Sequence, residues 1–435
     1  MKNLKLFLTV LTLFIAFSAT AQKLSAIEKK ILTQVEQNNE EAILLLEKAV
    51  NINSGTMNLQ GVKKVGDLFS KEFEKIGFTN TWIPMPDEIG RAGHLFCELS
   101  TKKVKGKKLL LIGHLDTVFE EDSPFQEAKR DGTKFYGPGI GDMKGGNIII
   151  LYALKALSEA GVLKNTQIIA AFSGDEEKVG LPVSISRKDL IDAAKRSDIA
   201  LGFEGATGLN YATVARRSSG NWLLETKGIQ AHSSGIFTEK VGAGSIYEMA
   251  RILNTFYTEL PEQNLTFNAA TIVGGTAASF DKAQGKGTAS GKTNIVAPTT
   301  IVSGDLRCLT DEQLQNTVVK MKEIVADNLP QTSATITFEL KYPPMKPTSG
   351  NYEVLTVLDG ISEAMGKGEV EAYDPSKRGA GDISFVANYA NCLDGLGTMG
   401  KGAHTANEYI ELTHFKELTQ RAALLIYRLI NQKKS

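Results

Sequence analysis

Five segments of this sequence set histidines and carboxylates among glycines. They are Gly113-His114-Leu115-Asp116-Thr117-Val118, Gly139-Ile140-Gly141-Asp142-Met143-Lys144-Gly145-Gly146, Ser173-Gly174-Asp175-Glu176-Glu177, Gly202-Phe203-Glu204-Gly205 and Gly402-Ala403-His404-Thr405-Ala406-Asn407-Glu408. Imidazole nitrogens and carboxylate oxygens are suitable ligands for zinc. Two metals roughly 3.5–4 Å apart need one carboxylate between them and further ligands on each. His114, Asp142, Glu177, Glu204 and His404 supply that set. Asp116, two residues beyond His114, can orient its ring from behind. Glu176 stands beside a ligand without being needed as one, so it can serve as general base to the attacking water. Gly141 and the pair Gly145-Gly146 let the backbone turn sharply around Asp142. The glycine-rich run lacks both the Gly-Lys-Ser/Thr ending of a phosphate loop and the Gly-x-Gly-x-x-Gly spacing of a dinucleotide site.

Four of the five segments sit just after stretches that read as strands or at loop ends. The run 109–113 is continuously apolar, the signature of a strand buried on both faces, and 167–173 and 199–203 read the same way. Helices are expected over 26–50, 62–76 (stopped by Gly77), 146–160 (stopped by Gly161) and 415–431. Strands alternating with helices indicate a mainly parallel α/β sheet. Ligands of such sheets collect beyond the carboxyl ends of the strands, where the first four segments lie.

The pattern changes between about 215 and 342. Strands are expected over 222–228, 266–273, 299–307 and 334–340, and helices over 244–257 and 311–328 with Thr310 as cap. The order β-α-β-β-α-β is ferredoxin-like. Residues 277–292, rich in Gly, Ala, Ser and Lys, read as a flexible loop. Pro343-Pro344 and Pro347 read as a linker, after which the first pattern returns. The expected organisation is therefore a catalytic unit in two parts, 22–214 and 343–435, with an inserted α+β unit at 215–342.

These motifs and their order resemble the co-catalytic zinc exopeptidases, the family of glutamate carboxypeptidase, aminoacylase, acetylornithine deacetylase and succinyl-diaminopimelate desuccinylase. The resemblance covers nearly all of the chain beyond residue 21. It is nearest to bacterial glutamate carboxypeptidase, because Phe203-Glu204-Gly205 carries Glu as a ligand. It implies two Zn2+ per chain, with Co2+ or Mn2+ as substitutes. His114 and Glu204 would hold one ion, Glu177 and His404 the other, and Asp142 would bridge them. Glu176 would be the base and Asp116 the partner of His114. His232, in Gly228-Ile229-Gln230-Ala231-His232-Ser233, matches a family histidine that stabilises the oxyanion, often from a second subunit. Asn294 and Arg307 match polar positions near the substrate carboxylate. Gly379 and Gly381, in Arg378-Gly379-Ala380-Gly381-Asp382-Ile383, match the family's glycine-rich loop that helps anchor that carboxylate, although the family's Thr before the Asp is missing. The implied reaction is hydrolysis of a peptide or amide bond next to a free carboxylate, by a homodimer acting on a small peptide or N-acyl amino acid. N-acyl-amino-acid deacylase and dipeptidase activities use the same chemistry.

Bulk properties narrow the setting. Lys+Arg and Asp+Glu both number 49, so no global field draws the protein to nucleic acid or anionic lipid. Lys2 and Lys5, an apolar stretch over 6–17 and Ala19-Thr20-Ala21 read as a cleavable export signal, too short to span a bilayer comfortably. The expected location is periplasmic or secreted, without a stable membrane anchor. Cys97, Cys308 and Cys392 are odd in number and far apart, and are expected as buried free thiols.

Overall fold

The computed structural model describes residues 23–433 except residue 102. The expected signal segment, 1–21, lies outside the described residues.

The first part of the chain builds α1 (Ala26–Val50), α2 (Leu59–Lys75), β1 (Thr79–Ile83), β2 (His94–Ser100), β3 (Leu109–His114), α3 (Gly145–Ala160), β4 (Gln167–Ser173) and β5 (Ile199–Gly202). Among the described residues these strands join a later one, β10 (Asn391–Leu393), in a six-stranded sheet ordered β1-β2-β4-β3-β5-β10. The pairs β3–β4, β3–β5 and β5–β10 are parallel, whereas β1–β2 and β2–β4 are antiparallel. Strand β3 is buried along its whole length because α3 and its neighbours cover one face while a smaller cluster around Leu110, Ile169 and Ala200 fills the other. Helix α3 is apolar almost all round, as a helix sandwiched between a sheet and other helices must be. It ends where Gly161 adopts φ +79°, a left-handed conformation that a side chain resists.

The middle of the chain builds β6 (Ser219–Gly228), α4 (Gly244–Glu259), β7 (Thr266–Gly275), β8 (Thr299–Arg307), α5 (Asp311–Ala326) and β9 (Thr332–Tyr342). The four strands form a separate antiparallel sheet ordered β7-β8-β6-β9. Alternate residues of β6, Trp222, Leu224 and Thr226, are buried, and the two helices close a core of Trp222, Leu224, Met249, Ile252, Phe256 and Met321. This is the β-α-β-β-α-β order read from the sequence, one face covered and one open. The chain then returns through α6 (Ser349–Ala364) and β10 to α7 (Leu412–Asn431), which packs beside α1 and α3. The fold is thus a mainly parallel α/β unit joined to a ferredoxin-like α+β unit.

Two expectations need correction. Residues 277–292 are not a flexible loop but contain a hairpin, 277–281 paired with 286–290 in the register Ala277↔Ser290 to Asp281↔Lys286. Strands β1 and β2, absent from the sequence reading, extend the large sheet at one edge. Cys97, Cys308 and Cys392 are buried free thiols, as expected.

Candidate metal centre

Three parallel neighbours deliver three of the motifs to one edge. His114 is the last residue of β3, Glu176 and Glu177 follow β4, and Glu204 follows β5. Strand ends side by side in a parallel sheet make a common crevice. Asp142 comes from the loop entering α3. His404 comes from the turn between the short strands 400–401 and 409–411, at φ +63°, a left-handed conformation uncommon for a non-glycine.

Asp142 lies at the centre. Its Oδ1 is 3.1 Å from His114 Nε2 and its Oδ2 is 3.1 Å from His404 Nε2. Glu204 Oε1 is 3.8 Å from His114 Nε2, and Glu177 Oε2 is 3.2 Å from His404 Nε2. Two groups of donor atoms result, His114–Asp142–Glu204 and Asp142–Glu177–His404, each with its atoms within 4.8 Å of one another. Glu177 Oε1 is buried without a hydrogen-bond partner among the described residues. A buried carboxylate oxygen left unpaired is costly unless a cation meets it. The donor set and this orphan oxygen fit a pair of divalent cations.

The electrostatics agree with that fit. Burial works against the Asp142 carboxylate, but the two histidines overrule it and hold its pKa below the usual range. Burial, reinforced by Asp142, pushes Glu204 up to about 7. Glu176 is raised well above the usual range, first by burial and then, against the pull of His114, by Glu204, Asp382 and Glu177. Crowded carboxylates of this kind need positive charge between them.

Asp116 stands behind His114 and also reaches the loop after β4. His114 Nδ1 bonds to the Asp116 main-chain oxygen at 3.0 Å, with the nearer carboxylate oxygen at 3.4 Å. The carboxylate also accepts the backbone N–H groups of Glu176 (3.0 Å) and Glu177 (3.1 Å) and the Thr56 hydroxyl (2.7 Å). One residue therefore orients the imidazole through its carbonyl and fixes the 176–177 backbone through its side chain.

The remaining expected residues lie apart from the cluster. His232 is exposed in a turn, its Nδ1 2.9 Å from Ser234 Oγ. Ser233 N donates to the Asn294 carbonyl, so these two loops are neighbours. Arg307 bonds Asp305 on its own sheet. None of the three bonds to a cluster residue among the described residues. The loop with Gly379 and Gly381 is pinned by buried Arg216, whose Nη1 donates to the carbonyls of Gly379 (2.7 Å) and Ala380 (3.1 Å) while Nε donates to Asp394 (2.6 Å).

Several supporting residues were missed from the sequence. Glu408 accepts the backbone N–H groups of Gly139 (3.1 Å), Gly141 (2.7 Å) and Asp142 (3.0 Å), so its carboxylate shapes the loop that carries Asp142. Lys144 is fully buried with its Nζ on the Ile52 carbonyl, and burial lowers its pKa to about 7. Beneath Glu176, buried Arg187 joins Asp175 (Nη1–Oδ1 2.5 Å) to Asp382 (Nε–Oδ1 2.7 Å).

Two histidines and two glutamates gathered around one shared Asp, beyond the ends of a parallel sheet, define a metallohydrolase. Residues 110–428 match the profile of Peptidase family M20/M25/M40, and the chain belongs to that family. It is 28% identical to carboxypeptidase G2 of Pseudomonas sp., over 96% of this chain and 95% of that protein. It is 23% identical to succinyl-diaminopimelate desuccinylase of Nitrosospira multiformis, over 84% and 93%. The fold is similar to that of aminopeptidase PepT from Bacillus cereus (TM-score 0.71, 18% identity, 90% of this chain and 99% of that one). It is also similar to that of the Bacillus subtilis YXEP protein, described as a dinuclear metal-binding peptidase of the M20 family (TM-score 0.64, 12% identity, 91% and 99%).

Proposed function

We propose that this enzyme is a two-zinc exopeptidase of the glutamate carboxypeptidase type, cleaving a peptide or amide bond next to a free carboxylate. The observation that carries the reading is Asp142, with one oxygen toward His114 and the other toward His404. His114, Asp142 and Glu204 would hold one cation and Asp142, Glu177 and His404 the other. The mixed N/O donor set suits Zn2+, with Co2+ or Mn2+ as substitutes. Bound there, the ions would polarise the scissile carbonyl and acidify water. Glu176 takes the proton of the attacking water and hands it to the leaving amine. His232 donates to the developing oxyanion. Within one chain it bonds Ser234 and not the cluster, which favours its delivery by a second copy.

Arg378 supports recognition of a carboxylate. It is half-buried and makes no ion pair or side-chain hydrogen bond among the described residues. Its guanidinium lies beside Gly395 and within electrostatic reach of Glu204 and Asp142. A planar fork of donors beside the cluster suits a substrate carboxylate, and Gly379 and Gly381 follow Arg378 on the same loop. The likeness to carboxypeptidase G2 over nearly the full length favours this reading. The likeness to a desuccinylase favours the runner-up, an N-acyl-amino-acid deacylase or dipeptidase.

A hydrolysis screen decides between them. The Zn2+-loaded protein is offered dipeptides ending in Glu, dipeptides ending in apolar residues, and N-acyl amino acids. Fastest release of C-terminal Glu supports the carboxypeptidase; a preference for N-acyl amino acids overturns it. Material recovered from the periplasm or medium should begin at Gln22 if the chain is exported. Replacing Asp142 by Ala should remove most bound metal, read by elemental analysis, together with all activity. Retention of two metals and full turnover would refute the site.

A further inference from the structure

We propose that Tyr342 is a positioning residue for Glu176 and couples the four-stranded unit to the base. The inference rests on Glu176 being the general base. The Tyr342 hydroxyl donates to the Glu176 carbonyl at 2.8 Å. The N–H of the same residue is held by Asp116 Oδ1 at 3.0 Å. Glu176 is thus clamped on both sides of its Cα, by Asp116 from the end of β3 and by Tyr342 from the end of β9.

The place of Tyr342 in its strand gives the clamp its meaning. Along β9 the pairing with β6 runs in register to Leu340↔Gly220 and resumes at Tyr342↔Ser219, leaving Lys341 as a bulge. A bulge breaks the alternation of side chains and re-aims the residue that follows. Here it turns the last residue of the strand toward the catalytic loop. The Tyr342 ring is fixed against Phe385, centroids 5.0 Å apart, and Arg187 lies over the other ring at 5.6 Å. Pro343 and Pro344 follow at once, stiffening the exit of the chain from the four-stranded unit. A shift of that unit therefore reaches the main chain of the base through one phenol. A base must lie within hydrogen-bond reach of its proton, and a misplacement of about 1 Å can cost about 10²-fold.

The test uses the full chain. Tyr342→Phe removes the hydroxyl and keeps the ring on Phe385. With alanyl-glutamate, or the member of the screen cleaved fastest, kcat should fall about tenfold while KM stays within about twofold. Metal content should not change. Amide exchange over 174–178, measured with and without Zn2+, should quicken. In a Glu176→Gln background, Tyr342→Phe should cost nothing further, because both changes act through one group. A Tyr342→Phe enzyme with normal kcat, unchanged exchange over 174–178, or an undiminished further loss in the double variant would each overturn the positioning role. An active Glu176→Gln enzyme would instead remove the base assignment, and the inference with it.

Discussion

Glu408 shows how much of a metal centre can reside in a residue that binds no metal. Three backbone N–H groups converge on its carboxylate, and the loop they belong to carries Asp142. Replacing Glu408 by Gln puts an NH2 group against N–H donors and loosens that loop. Losing such support typically costs about 10–100-fold in metal affinity, which chelator competition would measure. Unchanged affinity would mean that the loop keeps its shape without the carboxylate. The cluster residues were legible in the sequence because metal ligands come from few residue types and each sits among glycines. Glu408 lay in view, in the same segment as His404, but its work is on backbone amides 266 to 269 positions away, which no local pattern encodes. Arg187, Asp382 and Tyr342 were hidden for the same reason: a buried partner is specified by the fold.

At the scale of elements, α1 and α7 are tied by one carboxylate. Glu28 closes a capping box with Ser25 at the start of α1, and its Oε1 accepts from Arg428 Nε of α7 at 2.8 Å. Burial alone would raise its pKa, but the Ser25 amide, Arg428 and the Ser25 hydroxyl outweigh it and hold the value below the usual range. A carboxylate depressed in the folded state contributes stability that is fully present above its unfolded pKa, about 4.3. That contribution is lost as pH falls through the folded value. Glu28→Gln should therefore lower stability by about 1–3 kcal/mol at pH 7. The gap in Tm between the two proteins should close at the acid end of the range; a gap that persists there would contradict the linkage. Helices such as α1 and α3 were readable from spacing and from the glycine stop, since their periodicity reflects what they bury. The hairpin within 277–292 was not, because its Gly, Ala, Ser and Lys residues have low strand propensity and only pairing makes them strands.

Over the whole molecule, the four-stranded unit holds residues that its own chain does not bring to the cluster. We propose that it is also the dimerisation unit. Its open sheet edge can pair with a second copy, and Phe237 and Tyr247 form an exposed aromatic pair, centroids 5.4 Å apart, near the His232 turn. Exposed apolar groups of this kind mark contact surfaces. A two-fold dimer is the commonest oligomer. Mixing inactive His232→Ala with inactive Glu176→Gln and allowing subunit exchange should restore activity, because each hybrid regains one competent site. Silence despite demonstrated exchange would exclude action across the dimer, and a fully active His232→Ala would exclude a catalytic role.

The order of synthesis gives the turn at 402–408 a further consequence. His404 meets Asp142 across 262 positions of chain, and Glu408 arrives with it. On the ribosome, His114, Asp142, Glu177 and Glu204 all emerge long before that turn exists. Until residue 408 is made, Asp142 has neither its second histidine nor the carboxylate that shapes its loop. The nascent chain therefore carries four of the five proposed donors before the turn that completes the set is made.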